Sequence, residues 1–132
     1  MVKKAYVYAI YVDGVVRYIG KGTGERILFH MTEVERINKR YAAGANTDAT
    51  STKFYRKLAE AARRGATITG RILVHELTEP ESYQIEKEKI EMIYNKDPGQ
   101  LWNTIDERLI GTTWEAFKAS RQRLSGRAMH RR

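Results

Sequence analysis

Residues 5–30 read AYVYAIYVDGVVRYIGKGTGERILFH, and the fold is decided there. Tyr6 to Val12 is almost wholly β-branched and aromatic, with Ala9 the one small residue. Such a run suits a strand. Asp13-Gly14 follows, a pair that tolerates the positive φ angles of a type I′ turn. Val15 to Ile19 then returns as the second strand. Because side chains alternate along a strand, Tyr6, Tyr8, Ile10 and Val12 share one face, and Val7, Ala9 and Tyr11 share the other. A strict two-residue loop pairs Tyr18 with Ala9, on the face away from Tyr8. A three-residue loop with a bulge pairs Tyr18 with Ile10 and makes Tyr8 its diagonal neighbour. The sequence leaves both registers open.

Gly20-Lys21-Gly22-Thr23-Gly24 is expected to end the second strand as a glycine-rich basic loop, its backbone free to approach a bulky ligand. Glu25 opens a helix, where a carboxylate suits the N-terminal dipole. Arg26 and His30, four residues apart, stack on one face of it. They flank the apolar stripe Ile27, Met31 and Val34.

Downstream, residues 25–42 are expected to be helical, residues 42–52 (AAGANTDATST) a loop, and residues 53–64 a second helix built on Phe54, Leu58 and Ala61 or Ala62. Gly65 is its expected C-cap. Residues 67–77 (TITGRILVHEL) form a third strand. Glu79-Pro80 starts a helix running to about Tyr94, since proline is tolerated in a first turn. Asp97-Pro98-Gly99 breaks it, and Leu101-Trp102-Asn103 follows as a short extended segment. A last amphipathic helix is expected from Trp114 to about Leu124. The expected class is α+β, a three-stranded, mainly antiparallel sheet flanked by helices.

Charge and composition narrow the function. The 132 residues carry a formal net charge of +8 with a pI near 9.8, which favours a polyanionic partner, most simply nucleic acid. There is no cysteine, hence no disulfide and no thiolate metal site. No apolar run is long enough to span a bilayer, so the expected location is the cytoplasm.

One carboxylate stands out. At 100° per residue Tyr83, Ile90, Ile93 and Tyr94 share a face of the third helix, and Glu86 falls among them. Glu88 and Glu91 point away. A carboxylate on a buried stripe needs a counterpart, a divalent metal or an arginine, because an unpaired charge in an apolar setting is costly. Glu88 is the substitute if the helix is turned by half a turn. His75, beside a carboxylate on the third strand, reads as structural.

The tyrosine-rich hairpin resembles the GIY-YIG nuclease superfamily over roughly residues 5–105. Tyr18-Ile19-Gly20 stands as the YIG triplet. Tyr6-Val7-Tyr8 lies at the right separation for the GIY triplet, with Tyr6 in place of its glycine. Ala9-Ile10-Tyr11 is the alternative, so Tyr8 or Tyr11 is the first catalytic tyrosine. Both tyrosines of the family face the site, which calls for the bulged register. The YIGKGxGxR wording is similar to the branch that includes the animal LEM-domain-associated nucleases and bacterial and phage proteins.

The resemblance implies a catalytic set of Tyr8, Tyr18, Lys21, Arg26, His30 and Glu86. Tyr8 would act as general base or position the water. Tyr18, with Lys21, would orient and acidify it. Arg26 would stabilise the transition state, and His30 would bind phosphate or shuttle a proton. Glu86 would hold Mg2+, with Mn2+ as a substitute. Gly20 and Asn103 would brace the site. It further implies a DNA endonuclease working by a one-metal mechanism, leaving 5′-phosphate and 3′-hydroxyl ends. A non-catalytic nucleic-acid-binding module on the same fold is the alternative. The expected DNA contacts, on duplex or branched substrates, are Lys21, Arg26, Lys53, Arg121 and Arg123. The expected division is a nuclease domain over 1–105 and a basic helical extension over 106–132.

Overall fold

The computed structural model describes residues 2–49 and 51–103. The expected extension over 106–132, with Arg121 and Arg123, lies outside the described residues. The elements run β1 (Ala5–Val12), β2 (Val15–Thr23), α1 (Arg26–Ala42), α2 (Lys53–Arg63), β3 (Ile68–Leu77) and α3 (Glu79–Lys96), with one short 3-10 turn at Thr47–Ala49. The sheet is three-stranded and antiparallel in the order β2-β1-β3. It is therefore the expected α+β arrangement, with β1 as its spine.

β1 is apolar on both faces because both are covered. Tyr6, Tyr8, Ile10 and Val12 pack with Val34, Ile37, Phe54 and Leu58 of α1 and α2. Val7, Ala9 and Ile19 pack with Leu77 and Leu101, joined by Ile85, Ile90 and Ile93 of α3. The packed stripe of α3 thus includes Ile85, which lies outside the expected face.

The turn is the two-residue Asp13-Gly14, with φ of 51° and 79° as type I′ demands. Yet Tyr18 pairs with Ile10 and Gly20 with Tyr8, because the register shifts between Ile10 and Tyr11. The extra residue is Arg17, inside β2. The register is the bulged one, but its bulge sits in the strand and leaves the loop tight.

The glycine-rich run is not a loop. Gly20 to Thr23 is the second half of β2, paired with β1 as far as Ala5. A Cβ on Gly20 would lie 2.6 Å from the Tyr8 ring, and one on Gly22 would lie 2.5 Å from the Arg26 stem. The glycines therefore admit the chain's own side chains.

α1 lacks a side-chain cap at Glu25, but the Tyr6 hydroxyl supplies one from the sheet. It accepts from the Ile27 amide at 3.1 Å and donates to the Gly24 carbonyl at 2.8 Å. Thr52 caps α2, and Thr78 with Glu81 forms a capping box on α3. Residues 100–103 run along the free edge of β2. The Trp102 amide donates to the Arg17 carbonyl at 2.6 Å, and Asn103 exchanges two hydrogen bonds with the Ile19 backbone at 2.8 and 3.1 Å. Among the described residues no helix is long and apolar enough to cross a membrane.

Candidate active site

The cluster begins on β1 and β2. With Tyr18 opposite Ile10, its ring comes to the same face as Tyr8, 6.0 Å between centroids. Tyr11 alternates to the opposite face, against α3. The cluster thus uses Tyr8, and Gly20 leaves room for both rings.

α1 adds His30 from above. Its Nε2 is hydrogen-bonded to the Tyr8 hydroxyl. Its Nδ1 lies 2.8 Å from the Tyr55 hydroxyl of α2. Phe54, the neighbour of Tyr55, stacks on Tyr18 at 4.1 Å. Tyr8 and His30 are each only 1% exposed, while Tyr18 and Tyr55 are half-buried.

Electrostatics follow from this packing. Burial drives the Tyr8 phenol well above its ordinary range; the neighbouring Tyr18 adds to the shift, and Arg26 opposes it. Tyr18 is raised first by burial and then by the negative charge of Glu86. That carboxylate therefore acts on the tyrosine cluster from α3. Burial, helped by the Arg26 charge, lowers His30 to about 4, so its ring is neutral at pH 7. Tyr55 is raised by burial and eased by Arg26.

Arg26 is the cation common to all four groups. It is exposed, its guanidinium lies over the Phe29 ring at 5.5 Å, and no salt bridge engages it among the described residues. Lys21 is placed differently. It pairs with Val7, so the register directs it to the α3 face, opposite Tyr8 and Tyr18. Lys53 is exposed in the first turn of α2, next to Phe54. Glu86 is half-buried, whereas Glu88 is exposed and accepts a hydrogen bond from Gln84 at 2.9 Å. Asn103 braces β2 at Ile19, beside Tyr18. His75 is exposed, 3.9 Å from the Glu76 carboxylate.

Tyr55 and the Tyr6 hydroxyl escape the sequence reading. Tyr55 lies one residue off the apolar stripe of α2, and nothing in its spacing links it to His30. Tyr6 occupies a glycine position of the motif, which draws attention to what is missing there and away from what the hydroxyl does.

Glu86, whose charge reaches Tyr18 from α3, is a single carboxylate of the kind a hard, oxygen-seeking cation takes. Among the described residues no group of three or more His, Asp or Glu side chains gathers to hold a metal. A magnesium ion is compatible with such a sparse site, because it keeps several waters and takes other oxygens from a bound phosphate. Compared with known proteins, the chain matches no family profile, no curated protein and no solved structure.

Proposed function

We propose that this chain is a divalent-metal-dependent DNA endonuclease of the GIY-YIG type. The observation that carries the reading is the packing of Tyr8, Tyr18 and His30 in one cluster on which the charges of Arg26 and Glu86 also act. Phosphodiester hydrolysis requires a proton acceptor for water, a counter-charge for the crowded phosphorus and help for the leaving oxygen.

Each need has a group. Arg26, exposed and without a carboxylate partner in the described structure, forks onto the phosphate oxygens. Tyr18, half-buried, meets the attacking water, and Tyr8 supports it from behind. His30, buried and neutral, takes the proton-handling role rather than phosphate binding. Glu86 holds Mg2+, or Mn2+ in its place. When bound, the cation polarises a phosphate oxygen and neutralises charge as it develops. Lys21, on the α3 face, contributes general positive charge with Lys53. Products would carry 5′-phosphate and 3′-hydroxyl ends.

Cleavage of supercoiled plasmid and of a branched DNA, with magnesium and with EDTA, tests this. Magnesium-dependent cutting by the wild type, lost in Glu86→Ala and Tyr18→Phe, is the expected result. Tight, salt-sensitive binding without cutting in magnesium or manganese would replace the enzyme with a non-catalytic binding module. Cutting that survives Glu86→Ala would remove Glu86 from the metal site.

A further inference from the structure

Four side chains form a row through the molecule, three of them joined by hydrogen bonds. The Tyr18 ring lies beside that of Tyr8, 6.0 Å between centroids, Tyr8 is hydrogen-bonded to His30 Nε2, and His30 Nδ1 lies 2.8 Å from the Tyr55 hydroxyl. The two middle members are each 1% exposed, and the two end members are half-buried. The row therefore has a dry centre and two ends nearer the solvent, and those ends belong to different elements, β2 and α2.

We propose that Tyr18, Tyr8, His30 and Tyr55 are a proton relay that carries the proton of the attacking water across the site, with Tyr55 as its outlet. The proposal rests on the nuclease reading and adds to it a residue and a direction.

The step balances without a charged intermediate. As the water oxygen bonds to phosphorus, its proton passes to the Tyr18 hydroxyl oxygen. The proton of Tyr18 passes to Tyr8, and that of Tyr8 to His30 Nε2. The proton on His30 Nδ1 passes to Tyr55, whose own proton leaves to bulk water. The leaving oxygen departs with the phosphorus–oxygen electron pair and is protonated by solvent. Every member ends as neutral as it began, because imidazole accepts at one nitrogen while donating from the other.

Neutrality is what this environment demands. Burial opposes a phenolate at Tyr8 and an imidazolium at His30. A lone phenol would have to ionise to act as a base. A row in which each group gives one proton as it takes another avoids that cost. Without Tyr55, His30 Nδ1 has no partner among the described residues to receive its proton.

Tyr55→Phe tests the idea, because the ring and its packing on Phe54 remain. Two readouts are needed, the rate and the position of the imidazole proton. Long-range proton–nitrogen spectra of histidine-labelled protein, with His30→Gln for assignment, are expected to place the wild-type His30 proton on Nδ1. In Tyr55→Phe it should move to Nε2, facing Tyr8. Plasmid cleavage by Tyr55→Phe should fall at least about tenfold in kcat with KM unchanged, within the range of a lost acid–base contribution. The dependence of rate on deuterium fraction should change from curved in the wild type to linear, since fewer protons move together.

An active wild type whose Tyr55→Phe variant cuts within twofold, or keeps its proton on Nδ1, overturns the relay and leaves the nuclease standing. A wild type that cuts no DNA in magnesium or manganese overturns both.

Discussion

His30 is a buried base held neutral, and that makes the protein's stability depend on pH. The groups facing it are Tyr8 and Tyr18 from the sheet, Arg26 from α1 and Tyr55 from α2. Its folded value is lowered to about 4, against the 6.5 of an imidazole free in water. Above pH 6.5 neither the folded nor the unfolded form carries the proton, and stability is unaffected. As pH falls from 6.5 towards 4 the unfolded chain binds a proton that the folded one refuses, so stability drops. The full loss is on the order of 3 kcal/mol, reached below the folded value. Urea melts at pH 7.0, 5.5 and 4.5 should show this decline, and His30→Gln should flatten it. An unchanged slope in that variant would mean that other groups cause the acid sensitivity. Gly20 sets a second limit at this scale. A methyl there would lie 2.6 Å from the Tyr8 ring and 2.7 Å from that of Tyr18. Gly20→Ala should therefore cost about 1–3 kcal/mol by overpacking and abolish cleavage by prising the tyrosines apart. A variant with wild-type melting and activity would show that the rings give way freely.

Two elements are each braced by a single side chain. The Tyr6 hydroxyl links the end of β2 to the first turn of α1, the turn that carries Arg26. Tyr6→Phe keeps the ring in the core but leaves the Ile27 amide and the Gly24 carbonyl to water. It should cost about 1 kcal/mol, the usual worth of such a bond, and should slow cleavage more than binding, because Arg26 loses its anchor. Equal stability and rate would make the hydroxyl incidental. On the opposite side Asn103 closes the edge of β2 as a neighbouring strand would, with two bonds to Ile19. Asn103→Ala should lower stability by about 1–2 kcal/mol and speed hydrogen exchange of the Ile19 amide. Unaltered exchange would mean that residues 100–102 hold the edge by themselves. Much of the element layout was legible in the sequence, because strand composition, the Asp-Gly turn, Glu79-Pro80 and Asp97-Pro98-Gly99 are local signals. The glycine run was misjudged because its reason is tertiary. Only the Tyr8 ring and the Arg26 stem explain why Gly20 and Gly22 carry no side chain inside a strand. The bulge at Arg17 was likewise beyond a local reading, since packing on both faces of β1 selects the register.

Over the whole molecule, the tyrosine cluster was foreseeable from spacing once the register was allowed to bulge. Its link to α2 was not, because no periodicity ties Tyr55 to His30 across 25 residues. The charge excess of +8 was plain from the sequence, but only the fold distributes it. Arg26 stands exposed on the cluster's rim, Lys53 opens α2 beside Phe54, and Lys21 leaves the sheet on the α3 face. On the nuclease proposal, these positions separate phosphate binding from catalysis. Each phosphate neutralised by a cation releases condensed counterions, so the logarithm of duplex affinity falls with the logarithm of salt by about 0.9 per contact. If Arg26 and Lys53 both meet the backbone, Arg26→Ala and Lys53→Ala should each reduce that slope by about 1. Their effects on turnover should then part. Lys53→Ala should cleave at the wild-type rate once DNA is saturating, whereas Arg26→Ala should lose about a hundredfold or more, because its counter-charge is wanted most in the transition state. Binding titrations from 50 to 300 mM salt, paired with single-turnover cleavage, measure both quantities on the same proteins. An Arg26→Ala variant with an unchanged slope and an unchanged rate would place the phosphate elsewhere and detach the tyrosine cluster from the DNA.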